Sequence, residues 1–255
     1  MNVFITGASS GIGAALATEF ARRGASVGLV ARRKDALDAL ADRLPGRHFA
    51  YAADVTDKDA LIAAARKFDH DSGGADIVIA NAGISVGVLT EHYEDLAAFK
   101  DVFDTNVLAM AHTFHPFIAA MRERRRGTLV GIASVAGIRG LPGSEAYCAS
   151  KAATISYCES LRVELRRFGV RVVTIAPGFI RTPLTAKNPY KMPFLMQADA
   201  FAPAAVDAIL AGASYRVIPW QMGIVAKLLR LLPNWAFDRL MSNRPYKPRK
   251  TEPRL

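Results

Sequence analysis

Short apolar runs alternate with longer amphipathic stretches along most of this chain, joined by brief connections. That rhythm constrains the fold more than any other feature. Parallel strands need a crossover segment between them, and the crossing helices then cover both faces of the sheet. Residues 2–6, 26–31, 48–53, 76–80, 127–133 and 170–176 read as strands, and 215–219 as a seventh. Helices are expected over 12–23, 34–44, 57–69, 97–125, 146–167 and 199–213. Between 178 and 198 the rhythm breaks at Pro183, Pro189 and Pro193, so a long surface loop of the lid or binding type is expected. The expected fold class is α/β: one domain over residues 1–219, a doubly wound parallel sheet of about seven strands with helices on both faces. Residues 220–255 form a C-terminal helical appendage, not an independent domain.

Half of the 255 residues (51%) are hydrophobic, enough for a sizeable core. The two cysteines, Cys148 and Cys158, fall in one expected helix. Ten residues at about 1.5 Å each separate them by roughly 15 Å. A disulfide needs Cα atoms within about 7 Å, so free thiols in a reducing compartment are expected. The chain starts directly on an apolar strand, without a signal-like segment, and no run is long enough to span a bilayer. A cytoplasmic protein is the expectation, with the inner face of a membrane as its one peripheral location. The net charge of +10 is uneven: residues 215–255 hold nine Lys or Arg against Asp238 and Glu252, a surplus of seven. This basic tail lacks interleaved aromatics and any nucleic-acid module, so no nucleic-acid partner is expected.

Thr6 to Gly13 reads T-G-A-S-S-G-I-G between the first strand and first helix. Glycines there permit a tight turn and bring backbone N–H groups and a helix N-terminus against a pyrophosphate, a Rossmann-like arrangement. The spacing departs from the usual G-x-G-x-x-G, and alone such a turn is a weak signal. The second strand ends Ala31-Arg32-Arg33, with no carboxylate before Asp35. A carboxylate there would take ribose hydroxyls, whereas an arginine fork binds a 2′-phosphate. NADP(H) is therefore the expected cofactor, ahead of NAD(H). His112 and His115 sit three apart on a helix, but no third ligand has suitable spacing, and no metal is expected.

Further elements recur in order near the ends of successive strands: Asp54-Val55, Asn81-Ala82-Gly83, Asn106, Ser134, Tyr147-Cys148-Ala149-Ser150-Lys151, and Pro177-Gly178 followed by Thr182. Together with the glycine turn they resemble the short-chain dehydrogenase/reductase family, from residue 1 to about 213. The resemblance implies that Gly7, Ser9, Ser10, Gly11, Ile12 and Gly13 line the pyrophosphate. It places Asp54 and Val55 at the adenine, and Asn81, Ala82 and Gly83 beside the adenosine ribose. Ser134, Tyr147, Lys151 and Asn106 would form a catalytic tetrad, with Tyr147 and Lys151 also touching cofactor. Pro177, Gly178, Ile180 and Thr182 would lie beside the nicotinamide.

Such a set would interconvert a carbonyl and an alcohol by hydride transfer. Tyr147 would be the acid/base, and Lys151, one turn on, is expected to lower its pKa. Ser134 would hydrogen-bond the substrate oxygen, and Asn106 would hold a relay water. Val86, Leu89, Ile138, Leu141, Leu184, Met192, Phe194 and Leu195 are the expected substrate-side residues, favouring a small lipophilic carbonyl or alcohol. A non-catalytic NADP(H)-binding regulator on the same fold, or a membrane-associated scaffold, is the alternative. Residues 222–232 are strongly apolar, with Lys227 and Arg230 on one face. Two readings stand open: an interfacial element on an anionic membrane surface, or a helix covering the substrate entrance or an interface of a homodimer or homotetramer.

Overall fold

In the computed structural model, which describes residues 1–249, a seven-stranded parallel sheet runs through the chain. Its strands are β1 (Asn2–Thr6), β2 (Ser26–Ala31), β3 (His48–Ala52), β4 (Ile77–Ala80), β5 (Gly127–Ile132), β6 (Val170–Pro177) and, after a short pair described below, the edge strand at Tyr215–Ile218. The spatial order is β3-β2-β1-β4-β5-β6 and then that edge strand, every pairing parallel. Valine and isoleucine dominate the central strands, which are buried on both faces as parallel strands must be.

The crossovers are α1 (Gly11–Arg22), α2 (Lys34–Ala41), α3 (Lys58–Ser72), α4 (Asp95–Phe103), α5 (Ala109–Glu123) and α6 (Glu145–Arg166). One apolar cluster joins one face of the sheet to Leu16, Phe20, Leu37 and Phe201; the other joins the opposite face to Leu61, Phe68, Phe114, Phe117 and Leu165. Phe4 anchors the second cluster, with ring centroids 5.4 Å from Phe68 and 5.2 Å from Phe117. Cys148 and Cys158 lie on α6 as buried free thiols.

Two expectations need correction. The helix expected over 97–125 is α4, then a π-helical turn at Asp104–Leu108, then α5. The wider turn shifts the register at Asn106, whose side chain is thereby committed to neighbours instead of the helix surface. The stretch 178–198 is not entirely loop. Strands β7 (Ile180–Arg181) and β8 (Met196–Gln197) pair in parallel and tie its two ends together. After β8 come α7 (Ala198–Leu210), the edge strand β9 (Tyr215–Ile218), α8 (Trp220–Leu231) and α9 (Asn234–Met241). The last part of the basic tail, Lys250 and Arg254 included, lies outside the described residues.

The order of strands reverses between β1 and β4: the chain moves outward from β1 to β3, then returns to build from β4. At such a switch point the turns at the carboxyl ends of the strands diverge and leave a crevice.

Candidate active site

The turn after β1 is built around glycine for two separate reasons. Gly7 has φ +68°, left-handed backbone that side chains rarely adopt. Gly13 has an ordinary backbone, but a Cβ there would lie 2.2 Å from the Gly7 carbonyl oxygen. No side chain can occupy that position without moving the turn off α1. Ser10 precedes α1 without capping it through its side chain, so the first-turn N–H groups face the crevice uncapped. These amides and the positive end of α1 suit a pyrophosphate. Asn81 locks the switch point from the β4 side, its Nδ2 donating to Thr6 O at 2.9 Å and Gly7 O at 3.3 Å.

Around this turn lies a cleft of about 1020 Å³. It is lined by Gly7, Ser9, Ser10, Gly11, Ile12, Arg32, Arg33, Asp54, Val55, Asn81, Ala82, Gly83, Ser134, Tyr147, Lys151, Pro177, Gly178, Ile180 and Thr182. Gly13 and Asn106, from the same set, lie behind the lining. Arg33 Nη2 donates to Ser9 Oγ at 3.1 Å, and Arg32 Nη1 is 3.8 Å from Asp54 Oδ2. Two guanidinium groups thus flank the rim beside the glycine turn. The cleft's volume, the uncapped amides and this cationic rim fit a dinucleotide.

At the other end, Ser134, Tyr147 and Lys151 share one wall. Ser134 follows β5 and caps a short 3₁₀ turn, Val135–Gly137, its Oγ accepting from Ala136 N at 3.1 Å. With that lone pair engaged, the hydroxyl proton is left to donate. Tyr147 and Lys151 occupy successive turns of α6, and the Lys151 ammonium donates to the Ile132 carbonyl at 2.8 Å. Burial pushes the Lys151 pKa down to about 8. Burial also pushes the Tyr147 phenol up to about 12, with hydrogen bonding from Ser134 acting in the opposite direction. The expected net lowering of the Tyr147 pKa is corrected in direction: desolvation raises it, and in this arrangement the Lys151 ammonium donates to the Ile132 carbonyl.

Asn106 is buried, and every polar atom of its side chain is used. Its Oδ1 accepts from Ile84 N at 2.8 Å, while Nδ2 donates to Ile84 O at 3.0 Å and Ser150 Oγ at 2.9 Å. The loop after β4 is thereby stitched to α6 beside Lys151. Gly83 lies in the same seam, where a Cβ would be 3.2 Å from Asn106 Oδ1 and 3.6 Å from Lys151 Nζ.

Sequence reasoning passed over several residues here. Ser150 is Asn106's partner, and its place beside Lys151 was its only signal. Thr185 accepts from Thr182 N at 3.1 Å and donates to Ile180 O at 2.6 Å, which fixes Thr182 at the cleft. Lys187 also lines it. Lys247, distant in sequence, is buried and donates to Ser85 Oγ and Leu184 O, both at 3.1 Å. Among the eight expected substrate-side residues only Leu184 lines the cleft; Val86 instead packs against a small cluster with Val88, Ala98, Val102 and Ala146.

The sequence profile of the short chain dehydrogenase family matches residues 1–192. A Myxococcus xanthus protein described as an uncharacterized oxidoreductase is 41% identical over 237 residues, covering 92% of this chain and 93% of that protein. A short-chain dehydrogenase from Sphingobium yanoikuyae, solved in complex with NADPH, superposes with a TM-score of 0.78 at 29% identity, covering 99% of this chain and 98% of that one. A 3-ketoacyl-(acyl-carrier-protein) reductase from Brucella melitensis, solved with NADH, gives 0.77 at 26% identity, covering 85% and 96%.

Proposed function

The chain belongs to the short-chain dehydrogenase/reductase family, oxidoreductases acting on carbonyl and alcohol groups, and on that premise we propose an NADP(H)-dependent reductase of lipophilic carbonyl compounds. The observation that carries this reading is one cleft joining a dinucleotide-shaped end to a wall of Ser134, Tyr147 and Lys151.

A nicotinamide cofactor held by the glycine turn and the cleft lining would supply the hydride in the reducing direction. Tyr147 stays protonated at neutral pH and gives its phenolic proton to the carbonyl oxygen as that oxygen gains charge. Ser134, its lone pair held by Ala136 N, donates a hydrogen bond to the same oxygen. Below pH 8 Lys151 carries its positive charge on the adjacent turn and stabilises the phenolate left behind. Asn106 does not line the cleft; its buried side chain holds the β4 loop against α6, and as the fourth member of the tetrad it would act on the proton path through a relay water. Oxidation of the alcohol runs the same proton path in reverse.

Arg32 and Arg33 support NADP(H), because they present cations where a 2′-phosphate would sit. The lipophilic class is supported by the apolar lining residues Leu184 and Ile84. NADPH consumption with a panel of long-chain and aromatic aldehydes and ketones tests both points, with Tyr147→Phe in parallel. Turnover that collapses in the variant is the expected result. NADPH binding without turnover on any carbonyl in either protein would overturn the reductase reading.

A further inference from the structure

Helix α8 faces the wrong way for a helix of a closed globule. Trp220, Ile224, Leu228 and Leu231 are 66%, 50%, 59% and 79% exposed. At about 100° per residue these four lie within roughly 80° of arc. The opposite side carries Met222 and Ala226, both buried. The apolar stripe therefore points to solvent along the whole helix. Trp235 on α9, 75% exposed, extends it.

Cations border this stripe. Lys227 and Arg230 lie along one edge of the α8 stripe, Arg239 is on α9, and Arg244 follows, all exposed. Among the described residues none of the four is ion-paired. Only Asp238 opposes them in this stretch. An apolar face with two tryptophans and unneutralised cations matches an anionic lipid surface, where apolar side chains enter the headgroup boundary and cations meet phosphate. A contiguous patch of this kind marks an interaction site in a soluble fold.

The platform is fixed to the cleft by specific contacts. Arg139, in the loop after β5, donates to Leu232 O at 2.7 Å and Asn234 Oδ1 at 3.2 Å, also bonds Leu229 O, and stacks 3.8 Å over the Phe237 ring. A Cβ on cleft residue Gly178 would meet Met222 Cγ at 2.6 Å, so α8 packs directly on the cleft wall.

We propose that α8 and α9 form an interfacial platform that docks the protein on anionic lipid, setting the substrate end of the cleft beside the bilayer. No helix among the described residues is long and apolar enough to cross a membrane, so the proposed attachment is a peripheral one. The proposal does not depend on the reductase reading, since docking is measured without turnover.

Trp220 and Trp235 are the chain's two tryptophans, and both lie on the platform. Their emission therefore reports docking without a label. The full chain is titrated with phosphatidylglycerol-containing vesicles and with phosphatidylcholine vesicles. A blue shift that saturates with anionic lipid, co-sedimentation, and loss of both at high salt are expected, because screening shortens from about 10 Å at 0.1 M to about 3 Å at 1 M. The double variant Leu228→Glu/Leu231→Glu should lose both signals while melting at the wild-type temperature, because both side chains are exposed. Absence of shift and co-sedimentation would overturn the proposal. So would a blue shift that grows with protein concentration alone and tracks a dimer in sedimentation velocity, which would give the platform to a second copy of this chain.

Discussion

Lys151 Nζ stands 5.8 Å from the centroid of the Tyr147 ring, one turn along the same helix. Both groups are held in their uncharged direction by burial, the lysine at about 8 and the phenol at about 12. The lysine is therefore charged below pH 8 and neutral above it, while the phenol keeps its proton across the working range. Carbonyl reduction is expected to be flat through neutral pH and to fall as pH rises through about 8. The pH profile of kcat/KM for the free enzyme checks this. Lys151→Arg, charged at every accessible pH, should remove that alkaline fall whatever its residual rate.

Tyr147→Phe removes the proton donor but leaves the ring and the helix packing. A loss of about 10²- to 10⁴-fold in kcat is expected, with little change in NADPH affinity. Single-turnover rates and fluorescence titration of NADPH separate the two effects. An equal loss of binding would mean the phenol acts mainly in holding cofactor.

Arg32 and Arg33 flank the rim of the cleft, and each offers charge-assisted hydrogen bonds to a 2′-phosphate. A hydrogen bond to a charged group contributes about 1.5–3 kcal/mol. Arg32→Ser/Arg33→Ser should therefore raise the dissociation constant for NADPH by about 10- to 100-fold or more, while NADH affinity changes little. Isothermal titration with both nucleotides gives the ratio.

Asn106 makes three buried hydrogen bonds, and truncation strands Ile84 N and Ile84 O and removes the donor to Ser150 Oγ, which keeps its own bond to Tyr147 O at 2.8 Å. Asn106→Ala is expected to cost about 2–4 kcal/mol in urea unfolding, from an unsatisfied-group penalty of about 1–3 kcal/mol each with partial relaxation. Its catalytic effect should fall on kcat more than on KM, because it orients α6 against the β4 loop without touching substrate.

Asp95 is fully buried at the start of α4 and accepts from Arg249 Nε at 2.7 Å and Leu89 N at 2.9 Å. The guanidinium holds its carboxyl below the usual carboxylate range. A lowered folded pKa means stability that is present above the unfolded value near 4 and is lost as pH falls through the folded one. Asp95→Asn leaves Arg249 without that charge and is expected to destabilise by about 3–5 kcal/mol. Chemical denaturation at neutral pH measures this, and the variant should also show a flatter decline in stability below pH 4.

The apolar runs placed the inner strands of the sheet nearly residue for residue, because strands buried on both faces read as near-continuous apolar segments, whereas β3 and β9 at the edges are only partly buried. The turn from Thr6 to Gly13 was equally legible, since φ +68° at Gly7 and the 2.2 Å approach at Gly13 are demands that glycine meets within a few residues. Long-range partners were not legible. Nothing near Asn106 announces Ser150 or the π-helical turn, which exists to bring residues 22 and 44 positions apart into one seam. Nor does anything near residue 247 announce that Lys247 reaches Ser85, 162 positions away, and Leu184, while Arg249 pairs with Asp95 at a separation of 154. Hydrogen bonds of that separation depend on where whole elements dock, and docking is set by the packed core. The stripe on α8 divides the two cases clearly. Its periodicity is written in the sequence, but a helix with apolar residues on several sides does not state which one packs. The Gly178–Met222 contact and the Arg139 clip decide that, and they turn Trp220, Ile224, Leu228 and Leu231 outward.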